Sequence, residues 1–162
     1  VDDSLLAYTA GLVDGEGHIT IGRFQPDKWT QRPRHWIVVI VGNTDKRMTD
    51  FLKKYWPGPV HIRNKKPWRT CYLWQISCIK AYRFLKDVRP FLRCKGEEAD
   101  VAIKFMEERE GKRFLSDKEV ARREELYQLM KTLKVPPATT ERAAPIAENR
   151  VKRQSALAGI QP

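Results

Sequence analysis

The nine residues Thr9-Ala10-Gly11-Leu12-Val13-Asp14-Gly15-Glu16-Gly17 decide how the rest of the chain is read. They close an apolar, small-residue run whose start is marked by Ser4, a good N-cap, and the pattern predicts a helix from Ser4 to about Asp14. Ala7, Gly11 and Gly15 recur every four residues along it, with Ala10 adjoining, so small side chains line one face. A glycine inside a helix costs about 1 kcal/mol relative to alanine, so something must approach that face closely. The approaching surface is either this protein's own sheet or the same helix of a second copy, since small residues let two backbones meet. Asp14 and Glu16 fall where the helix dipole is negative and the last carbonyls lack partners, an arrangement that destabilises the helix end. A cation would relieve it, and carboxylate plus carbonyl oxygens suit Mg²⁺. Plain solvation of the two acids is the other reading.

Outward from this stretch the charge changes sign. Residues 1–17 carry four acids and no base, whereas residues 18–95 hold eighteen Lys and Arg against four Asp and Glu. The chain as a whole has a net charge of +11, and this middle segment carries all of it. Nucleic acid is the expected partner. Residues 96–135 balance nine bases with ten acids, as solvated helices do. No run approaches the ~18 apolar residues of a membrane span, and Asp2 and Asp3 replace a basic leader, so an intracellular protein with no membrane partner is expected. Cys71, Cys78 and Cys94 form no CxxC pair and read as small strand and loop residues rather than disulfide or zinc ligands.

The basic segment is also the strand-rich one. His18 to Phe24 alternates, with Ile19 and Ile21 on one side, and Trp36 to Val41 is β-branched; Gln25 to Pro33 would be a long loop between them. Val60 to Lys65 and Cys71 to Ser77 form a second pair around Lys66, Pro67 and Trp68. Within it Tyr72, Trp74 and Ile76 share a core face, while Cys71, Leu73, Gln75 and Ser77 share a groove-facing one. Helices are predicted over Lys46 to Tyr55, Ile79 to Lys86, Glu97 to Glu110 and Asp117 to Leu133, the last with an apolar stripe of Val120, Leu126, Leu129, Met130 and Leu133. One α+β domain over residues 1–135 follows, with a basic tail over 136–162 that holds Arg150, Lys152 and Arg153. The first helix is not repeated later in the chain. No Ser/His/Asp or Cys/His constellation competes for chemistry: His18, His35 and His61 fall on three different strands, with His18 and His61 placed to contact DNA and His35 turned inward by alternation.

The stretch Thr9 to Gly17 resembles the LAGLIDADG motif of the homing endonucleases. Tyr72-Leu73-Trp74-Gln75-Ile76-Ser77 and Arg89-Pro90-Phe91-Leu92-Arg93-Cys94-Lys95 resemble the family's fourth strand and the loop that bears its basic active-site residue. The resemblance covers about residues 4 to 110. Thr9 departs from the motif's leucine, and Glu16 stands where the motif name has aspartate. What it implies is an α-β-β-α-β-β-α core with a four-stranded antiparallel DNA-binding saddle and C-terminal helices. One motif per chain implies a homodimer whose helices meet through Ala7, Ala10, Gly11, Asp14 and Gly15. It further implies a hydrolase that uses Mg²⁺, or another divalent cation such as Mn²⁺, held by Glu16 and Gly15, and that makes a double-strand break with 3′ overhangs in a long pseudo-palindromic target. By position, Asn43, Arg47 and Lys95 complete the catalytic set with Glu16. Alternation nominates Thr20, Arg34, Trp36, His61, Arg63, Lys65, Leu73 and Gln75 as base readers, and Lys28, Arg32, Lys66 and Arg69 as phosphate contacts. The alternative is a binding-only nucleic-acid protein, an RNA maturase or a transcriptional regulator, against which an acid at position 16 argues; a ribosomal-type structural protein is a more distant one.

Overall fold

The computed structural model describes residues 1–25, 32–64, 66–108 and 115–134. Ten elements follow one another: α1 (Asp3–Glu16), β1 (Gly17–Phe24), β2 (Arg34–Asn43), α2 (Lys46–Tyr55), β3 (Val60–Arg63), β4 (Cys71–Ser77), α3 (Cys78–Val88), a 3₁₀ turn (Arg89–Phe91), α4 (Gly96–Glu107) and α5 (Asp117–Leu133). The strands form one antiparallel sheet in the order β1-β2-β4-β3. Lys28, Lys65, the loop tip and the 136–162 tail lie outside the described residues.

Sequence and structure agree on α2 and α5 to the residue. α1 starts earlier than expected, because its cap is Asp2, whose carboxylate accepts from the Leu5 N–H at 2.8 Å, and not Ser4. β3 ends at Arg63, short of the expected Lys65. α3 runs from Cys78 to Val88, one residue earlier and two later than expected, before Pro90 opens the 3₁₀ turn. Cys78 makes the strand-to-helix corner with φ 51°, so it belongs to a strained turn. Leu129 does not join the buried stripe and is 47% exposed. At about 100° per residue it sits about 60° from Leu126 and about 100° from Met130, which are both buried.

The register divides the sheet cleanly. Ile19↔Val39, Ile21↔Ile37, Val39↔Ile76 and Val41↔Trp74 are facing pairs of the inner side. They pack with Leu52, Phe84, Leu85 and Met130 into one apolar core. Trp74 is fully buried, meets Phe84 edge-on at 5.2 Å between centroids and donates its indole N–H to the Trp56 carbonyl at 3.1 Å.

α5 is fastened to the first hairpin through one carboxylate. Arg23 Nε and His35 Nε2 each lie 2.9 Å from Glu124 Oε2, and Gln128 donates to its other oxygen. His35 is buried, as alternation predicts, and burial holds its pKa below 6.5 even though the Glu124 hydrogen bond pulls the other way. The unfolded chain therefore binds more protons than the folded one below that value. Stability from a neutral His35 is complete above pH ~6.5 and drains as the pH falls through the folded pKa, at up to ~1.4 kcal/mol per unit. Urea unfolding is expected to show a falling midpoint between about pH 7 and 5.5, and a shallower fall in His35→Gln. Equal slopes in the two proteins would contradict this assignment.

Candidate active site and nucleic-acid interface

α1 passes into β1 without a loop. Glu16 is the last helical residue and Gly17 the first of the strand, with the Gly17 N–H donating to the Val13 carbonyl. A Cβ at Gly17 would stand 2.4 Å from that carbonyl oxygen, so only glycine fits the corner. Glu16 is thereby placed, exposed, at one end of the sheet. Gly17 lies opposite Val41, so Asn43, two residues farther along β2, ends at the same edge.

Two of the carbonyls at the end of α1 are not left open. Lys95 Nζ donates to the Val13 carbonyl at 3.0 Å and also to that of Asp14, while the Asp14 carboxylate accepts from the backbone N–H groups of Arg93 (2.8 Å) and Lys95 (2.9 Å). Burial works against the Asp14 charge, but these backbone donors, that of Cys94 and the Lys95 ammonium outweigh it and keep the carboxyl below its ordinary range. The conflict read from the sequence is thus resolved by a side chain 81 positions away, and Asp14 belongs to the loop 93–95 rather than to an open helix face. Glu16 differs from it: no hydrogen bond or ion pair engages its carboxylate among the described residues.

The other two proposed catalytic residues are held locally. Asn43 Oδ1 accepts from the Asp45 N–H at 2.8 Å, closing the turn before α2. Asp45 caps that helix through the Arg47 N–H and forms a two-pronged pair with the Arg47 guanidinium, 2.5 and 3.0 Å. This exposed pair holds the Asp45 carboxyl down to about 2.

The outer face collects the remaining candidates. Facing pairs Thr20↔Val38, Gly22↔Trp36 and Phe24↔Arg34 continue into Ile40↔Gln75, Gly42↔Leu73, His61↔Leu73 and Arg63↔Cys71. Thr20, Arg34, Trp36, His61, Arg63, Leu73 and Gln75 therefore project from one side of the sheet, opposite the core. His18 shares that side, and so does Ile40, which the sequence pattern did not single out. Lys66 and Arg69 are exposed in the β3–β4 turn beside Trp68, which is 72% exposed. Arg32 is engaged elsewhere: it donates to the Leu115 carbonyl at 3.0 Å and pairs with Asp117 at 2.9 Å, so it ties the hairpin to α5.

Of the small residues on α1, Ala7, Gly11 and Gly15 are exposed, and a Cβ at either glycine would meet nothing within 4 Å. The sheet of the same chain is therefore not what requires those glycines. Ala10 is 0% exposed and packs into the core, so it does not line that face as expected. Tyr8, exposed beside the stripe and set edge-on to Phe51 at 5.2 Å, does.

Among the described residues no group of three His, Cys, Asp or Glu side chains could hold a metal, and no helix is long and apolar enough to cross a membrane. No protein-family model and no curated protein matches the sequence. Solved structures do match it. The chain aligns with I-CvuI, a homing endonuclease in complex with a DNA target, at 16% identity and a TM-score of 0.66 over 96% of both chains. It aligns with an archaeal intron-encoded homing endonuclease complexed with DNA at 15% identity and a TM-score of 0.68, over 97% of this chain and 99% of that one. I-AabMI, a LAGLIDADG meganuclease bound to uncleaved DNA, gives 16% identity and a TM-score of 0.59 over 75% of this chain and 44% of that one. The chain has the LAGLIDADG homing-endonuclease fold.

Proposed function

We propose that this chain, folded as the LAGLIDADG homing endonucleases are, is a site-specific DNA endonuclease that works as a homodimer. One observation supports the reading above others: a single sheet face carries the basic and polar candidates, and a glycine-bounded helix end sets an uncommitted carboxylate, Glu16, at its margin. Two copies meeting along Ala7, Gly11 and Gly15 would bring both Glu16 side chains together where the two outer faces join. The reaction is hydrolysis of one phosphodiester in each strand, leaving 3′ overhangs in a long pseudo-palindromic target.

The donor set fits Mg²⁺ or Mn²⁺ as half a site. One chain offers the Glu16 carboxylate and the Gly15 carbonyl, both hard oxygens, and symmetry doubles them. Bound there, a divalent ion supplies charge neutralisation at the phosphate and acidification of water. Lys95 adds positive charge, with two of its donors committed to α1 and one available to a phosphate oxygen. Arg47 reaches a phosphate by exchanging Asp45 for it, and Asn43 keeps that turn in place.

The test starts with duplexes enriched from a randomised library by the protein itself, incubated with and without Mg²⁺. A discrete double-strand break in the metal-containing reaction alone is expected. Specific binding without cleavage in either Mg²⁺ or Mn²⁺ would sink the nuclease reading and favour a binding-only protein.

Strands and B-DNA both advance about 3.4 Å per unit, so β1 and β2, of eight and ten residues, follow a similar number of base pairs and the dimer about twenty. Arg63 is exposed on the outer face of β3, and a bidentate arginine–guanine contact contributes ~1–3 kcal/mol of discrimination. Arg63→Ala is expected to relax preference at one symmetric pair of target positions, read by selection from a randomised library. A uniform loss of affinity across all sequences would place Arg63 on phosphate instead.

A further inference from the structure

Two ammonium groups stand near the end of α1, and neither has a carboxylate within ion-pair distance among the described residues. Lys95 caps the helix carbonyls. The other is Lys134, the residue that caps α5, whose Nζ lies 3.1 Å from His18 Nε2 and 3.4 Å from Nδ1. His18 is exposed on the outer face of β1, two residues after Glu16, so Lys134 reaches around the sheet edge to the proposed DNA-facing side. Its backbone is fixed there, since Arg23, His35 and Arg32 bind α5 to the β1–β2 hairpin at Glu124 and Asp117.

This cation has too little counter-charge. Burial, with the nearby Lys95 charge, brings the Lys134 pKa down to about 8, and Glu98 offsets only part of that. The His18 ring stands against this ammonium, with both ring nitrogens within 3.4 Å of it. A half-buried ammonium with three donors and no carboxylate partner among the described residues keeps donors for an anion.

We propose that Lys134, oriented by His18, contacts a backbone phosphate of the bound DNA beside Glu16, a contact that the motif at the end of α1 does not contain. The ligand chemistry is a phosphodiester non-bridging oxygen, and the inference rests on the DNA-binding reading above. The contact is blind to sequence: it adds to affinity and to salt dependence, not to base preference.

The experiment measures the dissociation constant against salt, in Ca²⁺, for the wild-type dimer, Lys134→Met and Lys134→Arg, on the duplex that the wild type enriches from a randomised library. Removing one phosphate contact lowers the slope of log K against log salt by ~0.9, so the symmetric dimer should lose about 1.8 in Lys134→Met. Lys134→Arg, which returns the charge, should restore it, whereas a merely structural role would leave the slope unchanged in both variants. A scan with single methylphosphonate linkages should find one position per strand at which neutralisation weakens the wild type but not Lys134→Met. Circular dichroism and thermal melting confirm the fold, and Lys134→Gln replaces the methionine variant if it does not fold. An unchanged slope in a folded variant overturns the proposal while leaving the DNA-binding reading intact. Failure of the wild type to enrich any duplex overturns both.

Discussion

Replacing Glu16 by glutamine is expected to give a protein that finds its target and does not cut it. The change is isosteric and removes one charge from an exposed carboxylate that makes no hydrogen bond among the described residues, so neither the helix end nor the β1 corner should respond. Loss of a metal ligand from each half of the proposed site should lower single-turnover cleavage by about three orders of magnitude, ~4 kcal/mol of barrier. Affinity in Ca²⁺ should stay within about tenfold or improve, because a negative charge beside phosphates opposes binding. Cleavage at near wild-type rate would remove Glu16 from the mechanism. Asp14→Asn is the informative contrast: it weakens the acceptor for the Arg93 and Lys95 N–H groups, and its effect should appear in thermal stability as well as activity.

The second large effect is expected at Gly11. A Cβ there meets nothing within the chain, and leucine is the better helix former by about 0.8 kcal/mol, so Gly11→Leu should fold at least as well as the wild type. Between two copies the same bulk separates the helices. Sedimentation should then show a wild-type dimer becoming a folded monomer, with double-strand cleavage lost because one subunit presents a single Glu16. A variant that stays dimeric would move the interface to another surface.

The parts of the fold legible in the sequence are those set by local periodicity. Alternation in β1, β2 and β4 separates core from outer face, and it turns His35 inward as observed. The helix ends of α2 and α5 are marked by Asp45, Pro57 and Ser116, residues whose capping or breaking chemistry acts within a few positions. What could not be read depends on pairs distant in sequence. Lys95 as the cap of α1, Glu124 as the partner of His35 and Lys134 beside His18 have no periodic signature, because each bond exists only after helices α4 and α5 have docked. Arg32 shows the converse. Its type and position suited a phosphate, but Asp117 and the Leu115 carbonyl stand closer. Likewise Ala10 belongs to the small-residue run by composition, yet its angle on the helix points it into the core.

On the proposed DNA-binding reading, the two outer-face glycines would constrain how a target preference could be altered. A Cβ at Gly22 would fall 2.7 Å from the Trp36 ring, and one at Gly42 would fall 2.6 Å from Leu73 Cδ2. Trp36 and Leu73 thus occupy the space that a side chain on the neighbouring glycine would need, so each glycine is the vacancy that accommodates a large side chain opposite it. Arg34 and Arg63 face Phe24 and Cys71 rather than a glycine and can be exchanged one at a time, whereas His61 lies directly opposite Leu73 and is coupled to it. At the other two sites a side chain on the glycine and a smaller reader opposite must arrive together. A library that randomises Trp36 without Gly22, or Leu73 without Gly42, samples only the orientations those vacancies already permit. On the proposed reading, respecification would therefore have four largely independent dials, at Thr20, Arg34, Arg63 and Gln75, with Trp36 tied to Gly22 and Leu73 tied to both Gly42 and His61.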